Sequence, residues 1–263
     1  MQDITKVAVD RRDGDFIQSL ERGLAVIRAF DRHHAQMTLS EVARRAGLPR
    51  AAARRLLLTL VTLGYARTDG KLFELTPRVL DLGYAYLSTL GVAEVAQLYM
   101  EEVSRELGEN CAMAVLDRAE IIYVARVPAG RIMDQVLSVG TRLPAYSTAL
   151  GQVLLAAMAD ADILALMEAY PLAQMTSKSI MDPGAYMTKI EEIRRLGYAL
   201  VDEELEPGVR SIAVPIHDRR NRVIAAMNVG AHAGRMSLAD MTEKVLPVLR
   251  RAAHDTERPI GHI

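Results

Sequence analysis

Two short helical patterns separated by Gly47-Leu48-Pro49 constrain this chain more than any other feature. They occupy Thr38 to Leu63. Thr38 followed three residues later by Glu41 is a capping box: the hydroxyl accepts the Glu41 N–H and the carboxylate reaches back. Gly47 can take the left-handed conformation that ends the first helix. Pro49 is tolerated at the start of the second, where its missing N–H costs nothing. Two helices joined by so short a turn must cross steeply, as in a helix-turn-helix. The second helix is two-faced. Ala53, Leu56, Leu57, Leu60 and Leu63 recur at spacings of three and four, which makes one apolar stripe. Arg50 stands at its start, and Ala51, Arg54 and Arg55 point the other way. Small alanines let a backbone approach a groove while guanidinium groups reach base edges and phosphates. A solvated basic face is the other use of such a surface.

The neighbouring segments favour the groove. After Leu63, two short strand-like stretches flank Asp69-Gly70, a strong two-residue hairpin signal. The hairpin carries Arg67 and Lys71, suited to phosphate or minor-groove contact. Upstream, Leu20, Leu24, Ile27 and Phe30 keep helical spacing from Ser19, a residue suited to N-capping. That helix is expected over Ser19 to Phe30, packed on the Leu-rich stripe. Three helices and a hairpin make a winged helix-turn-helix over residues 15–78, and with it double-stranded DNA becomes the expected partner. Residues 1–14 read as a mixed-charge arm whose Arg11-Arg12 pair could touch the DNA backbone. The net charge of −1 conceals an asymmetry. Residues 15–78 hold 11 Lys/Arg against 6 Asp/Glu, whereas residues 79–263 hold 18 against 24. A basic head on an acidic body restricts polyanion binding to the head.

Thr76-Pro77 opens a further helix with proline in its first turn. Val79, Leu82, Tyr86 and Leu90 form its stripe, so residues 79–91 read as a linker helix. Either a second copy or the chain's own body would bury that stripe. The pattern then alternates as an α+β body over residues 92–258. A helix is expected from Val92 to Leu107, closed by Gly108. Strands are expected at Cys111–Leu116, Ile121–Val127, Gln135–Val139, Gly197–Val201, Ser211–Ile216 and Arg222–Val229. Leu143 to Thr148 reads as a loop. Helices are expected at Ala149–Ala157, Asp160–Ala169, Pro183–Leu196 and Ser237–His254.

Several features of the body suit a small anionic ligand. Ser147-Thr148 precedes a helix, and a helix N-terminus seats a carboxylate; the hydroxyls could instead serve only as caps. Arg126 and Arg142 lie where either could pair with an acid, though a surface salt bridge is the commoner fate of an arginine. Asn228, inside an apolar strand, must find a partner, whether backbone or ligand. Ser211 raises the same question. The acidic run Asp202 to Glu206 reads as a solvated loop rather than a cation site.

Catalysis has little support. No nucleophile elbow, phosphate-loop glycine pattern or His-Glu-x-x-His is present, and the histidines lack metal-ligand spacing. Cys111, the one cysteine, reads as an inert core thiol. No cofactor or metal is implied. No apolar run approaches the roughly 20 residues of a membrane span, and no signal peptide is visible, so the expected location is cytoplasmic, without membrane contact.

The combined pattern closely resembles the IclR family of bacterial transcriptional regulators. Its carriers are Ser19-Leu20-Glu21-Arg22-Gly23-Leu24, the helix-turn-helix at Leu39–Leu63, Gly64-Tyr65 and Leu75-Thr76-Pro77-Arg78. In the body they are Gly140-Thr141-Arg142-Leu143-Pro144, Thr148-Ala149-Leu150-Gly151, and Gly197-Tyr198 through Gly208 to Pro215. The resemblance implies a winged helix, a linker helix and a GAF-like effector-binding domain with an antiparallel sheet. It also implies a homodimer or dimer of dimers on palindromic operators. The family pocket implies contacts from Ile132, Gln135, Leu143, Thr148, Ala149, Leu150, Asp202, Ser211, Asn228 and Gly230, to which Arg142 is added here. Asn228 and Gly230 stand where many members have hydroxyl residues. The run Gly140–Gly151 looks most like the branch that controls degradation of aromatic acids through the β-ketoadipate pathway, which implies an aromatic or dicarboxylic acid as effector. Two rival readings are an enzyme with an accessory DNA-binding head and a DNA binder that ignores ligands.

Overall fold

The computed structural model describes residues 16–31, 33–83, 85, 92–129 and 137–260. The chain divides into two compact units, 1–86 and 87–263.

In the first unit, α1 (Gln18–Arg28) is followed by β1 (Gln36–Thr38), α2 (Leu39–Arg45), α3 (Arg50–Thr62), β2 (Ala66–Thr68) and β3 (Leu72–Leu75). The capping box forms: Thr38 Oγ1 accepts from Glu41 N, and Glu41 Oε2 accepts from Thr38 N at 2.7 Å. Gly47 turns the chain at φ +66° and Pro49 caps α3. Asp69 Oδ1 accepts from Lys71 N and Leu72 N, which fixes the tip of the β2–β3 hairpin. Val26, Met37, Val42, Leu57, Leu60 and Phe73 form the core beneath. Thr76 and Pro77 begin a helical turn, Pro77–Val79, as expected. Tyr86 and Leu90 of the expected linker stripe lie outside the described residues.

Three expectations need correction. Ser19 caps nothing; α1 starts from Ile17 with no side-chain cap. Leu20 and Leu24 are 62% and 44% exposed, because α1 is rotated so that Val26 and Ala29 enter the core instead. Leu63 is 51% exposed, since it stands at the helix end, beyond the last turn that faces the core. The wing also has a third strand: β1 pairs with β3, giving the order β1-β3-β2.

The second unit is a six-stranded antiparallel sheet, ordered β6-β5-β4-β9-β8-β7, with helices on both faces. Its elements are α4 (Val92–Leu107), β4 (Asn110–Asp117), β5 (Glu120–Val127), β6 (Arg142–Pro144), α5 (Ala149–Ala156), α6 (Asp160–Ala169), α7 (Pro183–Leu196), β7 (Ala199–Asp202), β8 (Val209–His217), β9 (Val223–His232) and α8 (Leu246–Ile260). A five-residue π-helix, Met241–Val245, leads into α8. α4 and α8 pack one face around Met100, Met113, Met227 and Leu249. α5 and α7 pack the other around Ala112, Ala213, Leu150 and Ile190. The sixth strand is Arg142–Pro144, not Gln135–Val139; Val139 and Gly140 form a turn, and residues 135–136 lie outside the described residues. The expected loop at Leu143 thus begins as an edge strand, where Pro144 withholds no ladder bond that the sheet needs.

Candidate functional site

The first unit presents one open basic surface. Arg50, Ala51, Arg54 and Arg55 are all exposed on α3. Among the described residues, the guanidinium groups of Arg50, Arg54 and Arg55 have no hydrogen-bond or ion-pair partner. Ala53, Leu57 and Leu60 are buried on the opposite side. The positive charge therefore stands on a rigid helix whose apolar face is already satisfied. Lys71, at the wing tip, is exposed too. Arg67 is different: its Nε donates to Glu74 on the neighbouring strand, so a phosphate would have to compete for it. Arg45, beside the turn, is also committed. Its Nε donates to Ala29 O at 2.7 Å and its Nη2 to Asp31 Oδ2 at 2.6 Å. The Asp31 carboxyl is lowered to about 2, first by the His34 hydrogen bond and also by Arg45. This cluster ties the end of α1 to α2 and leaves α3 to face outward.

In the second unit, the ladder decides which residues share a face. Val201, Ser211, Gly230 and Asn110 lie in one cross-strand row. Ala199, Ala213, Asn228, Ala112 and Arg126 form the next row. Opposed residues in a ladder project from the same face, and Ala112, Ala199 and Ala213 belong to the α5 side. The result is a shelf of small residues carrying Ser211 and Asn228. Asn228 is 8% exposed. Neither its amide nor the Ser211 hydroxyl has a hydrogen-bond partner among the described residues. A Cβ built on Gly230 would meet nothing within 4 Å, so the shelf opens there. Arg126 joins this face and its Nη1 donates to Leu137 O at 2.7 Å.

Leu143, Ala149 and Leu150 pack into the same layer. Thr148 is the N-cap of α5: its hydroxyl accepts from Gly151 N at 3.1 Å. The first N–H groups of α5 beyond that one are left for another acceptor. α5 reaches this position because Gly151 lies against the backbone of Ala145, where a side chain would not fit.

Two expected effector contacts face elsewhere. Arg142 pairs with Ile122, whereas Leu143 pairs with Ile121, so the two project from opposite faces. Arg142 Nε donates to Glu120 Oε2 at 2.7 Å and its Nη2 donates to Asp117 Oδ2. Asp202 pairs with Arg210 while Val201 pairs with Ser211. Asp202 accepts from Lys178 Nζ and Arg210 Nε, each at 2.7 Å, and Lys178 followed by Arg210 holds its carboxyl below the usual range. Ile132 and Gln135 lie outside the described residues.

The acidic run is not a solvated loop, contrary to expectation. Glu204 is 7% exposed. It accepts from Lys189 Nζ, and from Gln152 Nε2 at 2.9 Å. Thr176 and Ser179 hydroxyls donate to the carbonyls of Glu203 and Glu204 at 2.6 and 2.9 Å. Among the described residues no cluster of His, Cys, Asp and Glu could hold a metal. Cys111 is buried and its thiol is pushed up to about 12 by desolvation. No described helix is long and apolar enough to cross a membrane.

A winged helix with an open basic recognition helix, joined to an α+β unit with an uncommitted polar shelf, defines a DNA-binding regulator that answers to a small molecule. The chain belongs to the IclR family of bacterial transcriptional regulators. The family's helix-turn-helix domain matches residues 19–70 and its C-terminal domain matches residues 84–258. The "Pca regulon regulatory protein" of Pseudomonas putida is 44% identical over 92% of this chain and 84% of its own length. A transcriptional regulator from Rhodococcus sp. RHA1 superposes with a TM-score of 0.84 at 45% identity, covering 93% of this chain and 98% of that one. An IclR homologue from Microbacterium hydrocarbonoxydans, solved in complex with 4-hydroxybenzoate, superposes with a TM-score of 0.82 at 26% identity over 92% and 98% of the two chains.

Proposed function

We propose that the protein regulates genes of aromatic-acid catabolism, binding its operator through residues 15–78 and an aromatic acid through residues 92–258, with residues 79–91 as the link. The observation that carries the effector half is the Asn228 amide, 8% exposed and without a hydrogen-bond partner among the described residues. The amide atoms still reach the open side of the shelf, so they are free to bond an effector, and a hydrogen bond to a charged group contributes about 1.5–3 kcal/mol. The similarity to the Pca regulator and to a homologue that holds 4-hydroxybenzoate supports an aromatic carboxylate. In this reading Ser211 and Asn228 bond the acid, the α5 N-terminus at Thr148, Ala149 and Leu150 faces its charge, and Gly230 and Leu143 shape its seat. Ile132 and Gln135, outside the described residues, are carried over from the family pocket alone. Arg126, in the same cross-strand row as Asn228, supplies a guanidinium, while Arg142 and Asp202 serve the framework.

Calorimetry with protocatechuate, 4-hydroxybenzoate and β-ketoadipate tests this. At least one acid should bind. Asn228→Leu should weaken it about 10-fold or more, the worth of a hydrogen bond to a charged group. Arg142→Ala should leave affinity within about twofold, because its partners are Asp117 and Glu120 and exposed pairs contribute little. Failure of all three acids to bind the wild-type protein would remove the aromatic-acid assignment.

On DNA, Arg50, Arg54 and Arg55 grip or read the major groove with Ala51 at the closest approach, while Lys71 and Arg67 serve the wing. Arg54→Ala should weaken operator binding by about 1–3 kcal/mol if it contacts a base twice. Gel-shift titration at fixed salt checks it, since affinity without a salt concentration means nothing. Unchanged binding would discard the role of Arg54. The protein acts as a homodimer or dimer of dimers. Leu20 and Leu24 on α1, with Ile17 just before it, are exposed and apolar, and Gly23 beside them has open space where a side chain would sit. A second copy of α1 can approach closely there. Effector binding must favour one DNA-affinity state over the other for control to follow.

A further inference from the structure

The second unit holds another pocket, which shares no residue with the shelf. It lies between α5, α6 and α7, walled by Leu155, Leu166, Met167, Leu172 and the ring of Tyr146, with Tyr186 in its lining. Tyr186 is 1% exposed and its hydroxyl has no hydrogen-bond partner. The nearby Gln152 is fully buried, and its Oε1 is unpartnered too. The amide orientation is fixed. Gln152 Nε2 donates to Tyr146 O and to Glu204 Oε2, each at 2.9 Å, and both partners only accept. Among the described residues these are the buried side-chain polar atoms left without a partner. Native proteins leave few such atoms; here one belongs to the pocket lining, and the other to a side chain that bonds the backbone of Tyr146, a second lining residue. An unpaired phenol can both donate and accept, while an amide oxygen accepts. Their complement is a hydroxyl group carried on an apolar body.

The geometry points to a second ligand site that takes a small apolar molecule bearing one hydroxyl and no charge, a phenol being the simplest example. The cavity volume is about 20 Å³, which admits one water but not a ring. Entry therefore requires the segment after α6 to move. Tyr170 is the exposed member of the lining at 44%. Beyond Leu172, the segment is fastened through Ala173, whose N–H donates to Tyr146 Oη at 3.2 Å and whose carbonyl accepts from it at 3.3 Å. Those contacts are long and exposed, so a ligand can displace them. The carboxylate of an aromatic acid is excluded, because the lining holds no Lys, Arg or His and would bury the charge without a partner.

Calorimetry of the full-length protein with phenol, run beside 4-hydroxybenzoate, tests the site. Phenol should bind the wild type. Tyr186→Phe should weaken phenol about tenfold, the worth of one buried hydrogen bond at the upper end, and leave the acid within about twofold. Leu166→Trp, which keeps the hydroxyl but fills the space, should abolish phenol binding; it also serves if Tyr186→Phe folds poorly by circular dichroism. Asn228→Leu should weaken the acid and spare phenol. Phenol that does not bind, or that responds to Asn228→Leu and not to the pocket variants, would overturn the second site. Loss of the acid alone would leave this site standing and remove the effector reading instead.

Discussion

Gly151→Ala should unfold the second unit or leave it insoluble. A Cβ at this position would stand 2.1 Å from the Ala145 carbonyl oxygen and 2.3 Å from its Cα. Both are backbone atoms, so no flexible side chain can swing aside. The backbone of Ala145 is also fixed. Its N–H donates to Ala119 O at 2.9 Å, and its carbonyl accepts from Thr148 N at 3.4 Å. To admit one methyl group, either the Ala145–Ser147 turn or the first turn of α5 must shift by more than an ångström. Ordinary overpacking of a core costs about 1–3 kcal/mol, and a clash with backbone should exceed that. A domain stable by about 5–15 kcal/mol loses much of its margin. The check is the denaturant midpoint of the second unit against wild type. An unmoved midpoint would mean that α5 does not rest on Ala145, and the placement of Thr148 and Ala149 beside the shelf would fail with it. DNA contacts by α3 should persist in whatever fraction stays soluble, because they belong to the first unit.

What the sequence made legible was local. The capping box at Thr38 and Glu41, the left-handed Gly47 and the Asp69-Gly70 tip depend on residues within a few positions of one another. Patterning finds such features, and all three form. Strand β1 escaped notice because Gln36-Met37-Thr38 is too short to show alternation, and its partner Phe73 lies far along the chain. Strand β6 escaped for a related reason: three residues ending in proline read as a loop until β5 supplies a neighbour. The site residues divide in the same way. Ser211 and Asn228 were legible as polar residues inside apolar strands. The faces of Arg142 and Asp202 were not, because a one-residue change of register reverses them, and the register is set by partners distant in sequence. Glu204 shows the limit most clearly. It sits in a run of acidic residues that reads as solvated, yet it is buried by Lys189 and Gln152, which no spacing rule connects to it.

That burial carries the second large effect. Lys189→Met should destabilise the second unit by about 3–5 kcal/mol, the usual cost of leaving one member of a buried pair uncompensated. The Glu204 side chain is 9% exposed and that of Lys189 is 19% exposed, so solvent screens the pair far less than a surface bridge. Once the ammonium is gone, Glu204 keeps the Gln152 Nε2 contact at 2.9 Å, and one neutral amide cannot offset a carboxylate held out of water. The loss should reach the shelf as well. Glu204 lies two residues beyond Asp202, at the end of β7, whose neighbour Val201 opposes Ser211. Releasing the loop frees the end of the strand that carries the shelf's edge, so acid affinity should fall together with stability. The double variant Lys189→Met with Glu204→Leu separates charge from packing. Removing both charges should restore most of the lost stability, because a buried ion pair rarely outperforms an apolar pair of similar volume. Urea titrations of the two single variants and the double variant measure this as a cycle. If Lys189→Met costs less than about 1 kcal/mol, as exposed pairs do, Glu204 is solvated after all, and the loop no longer braces the strand beside the effector.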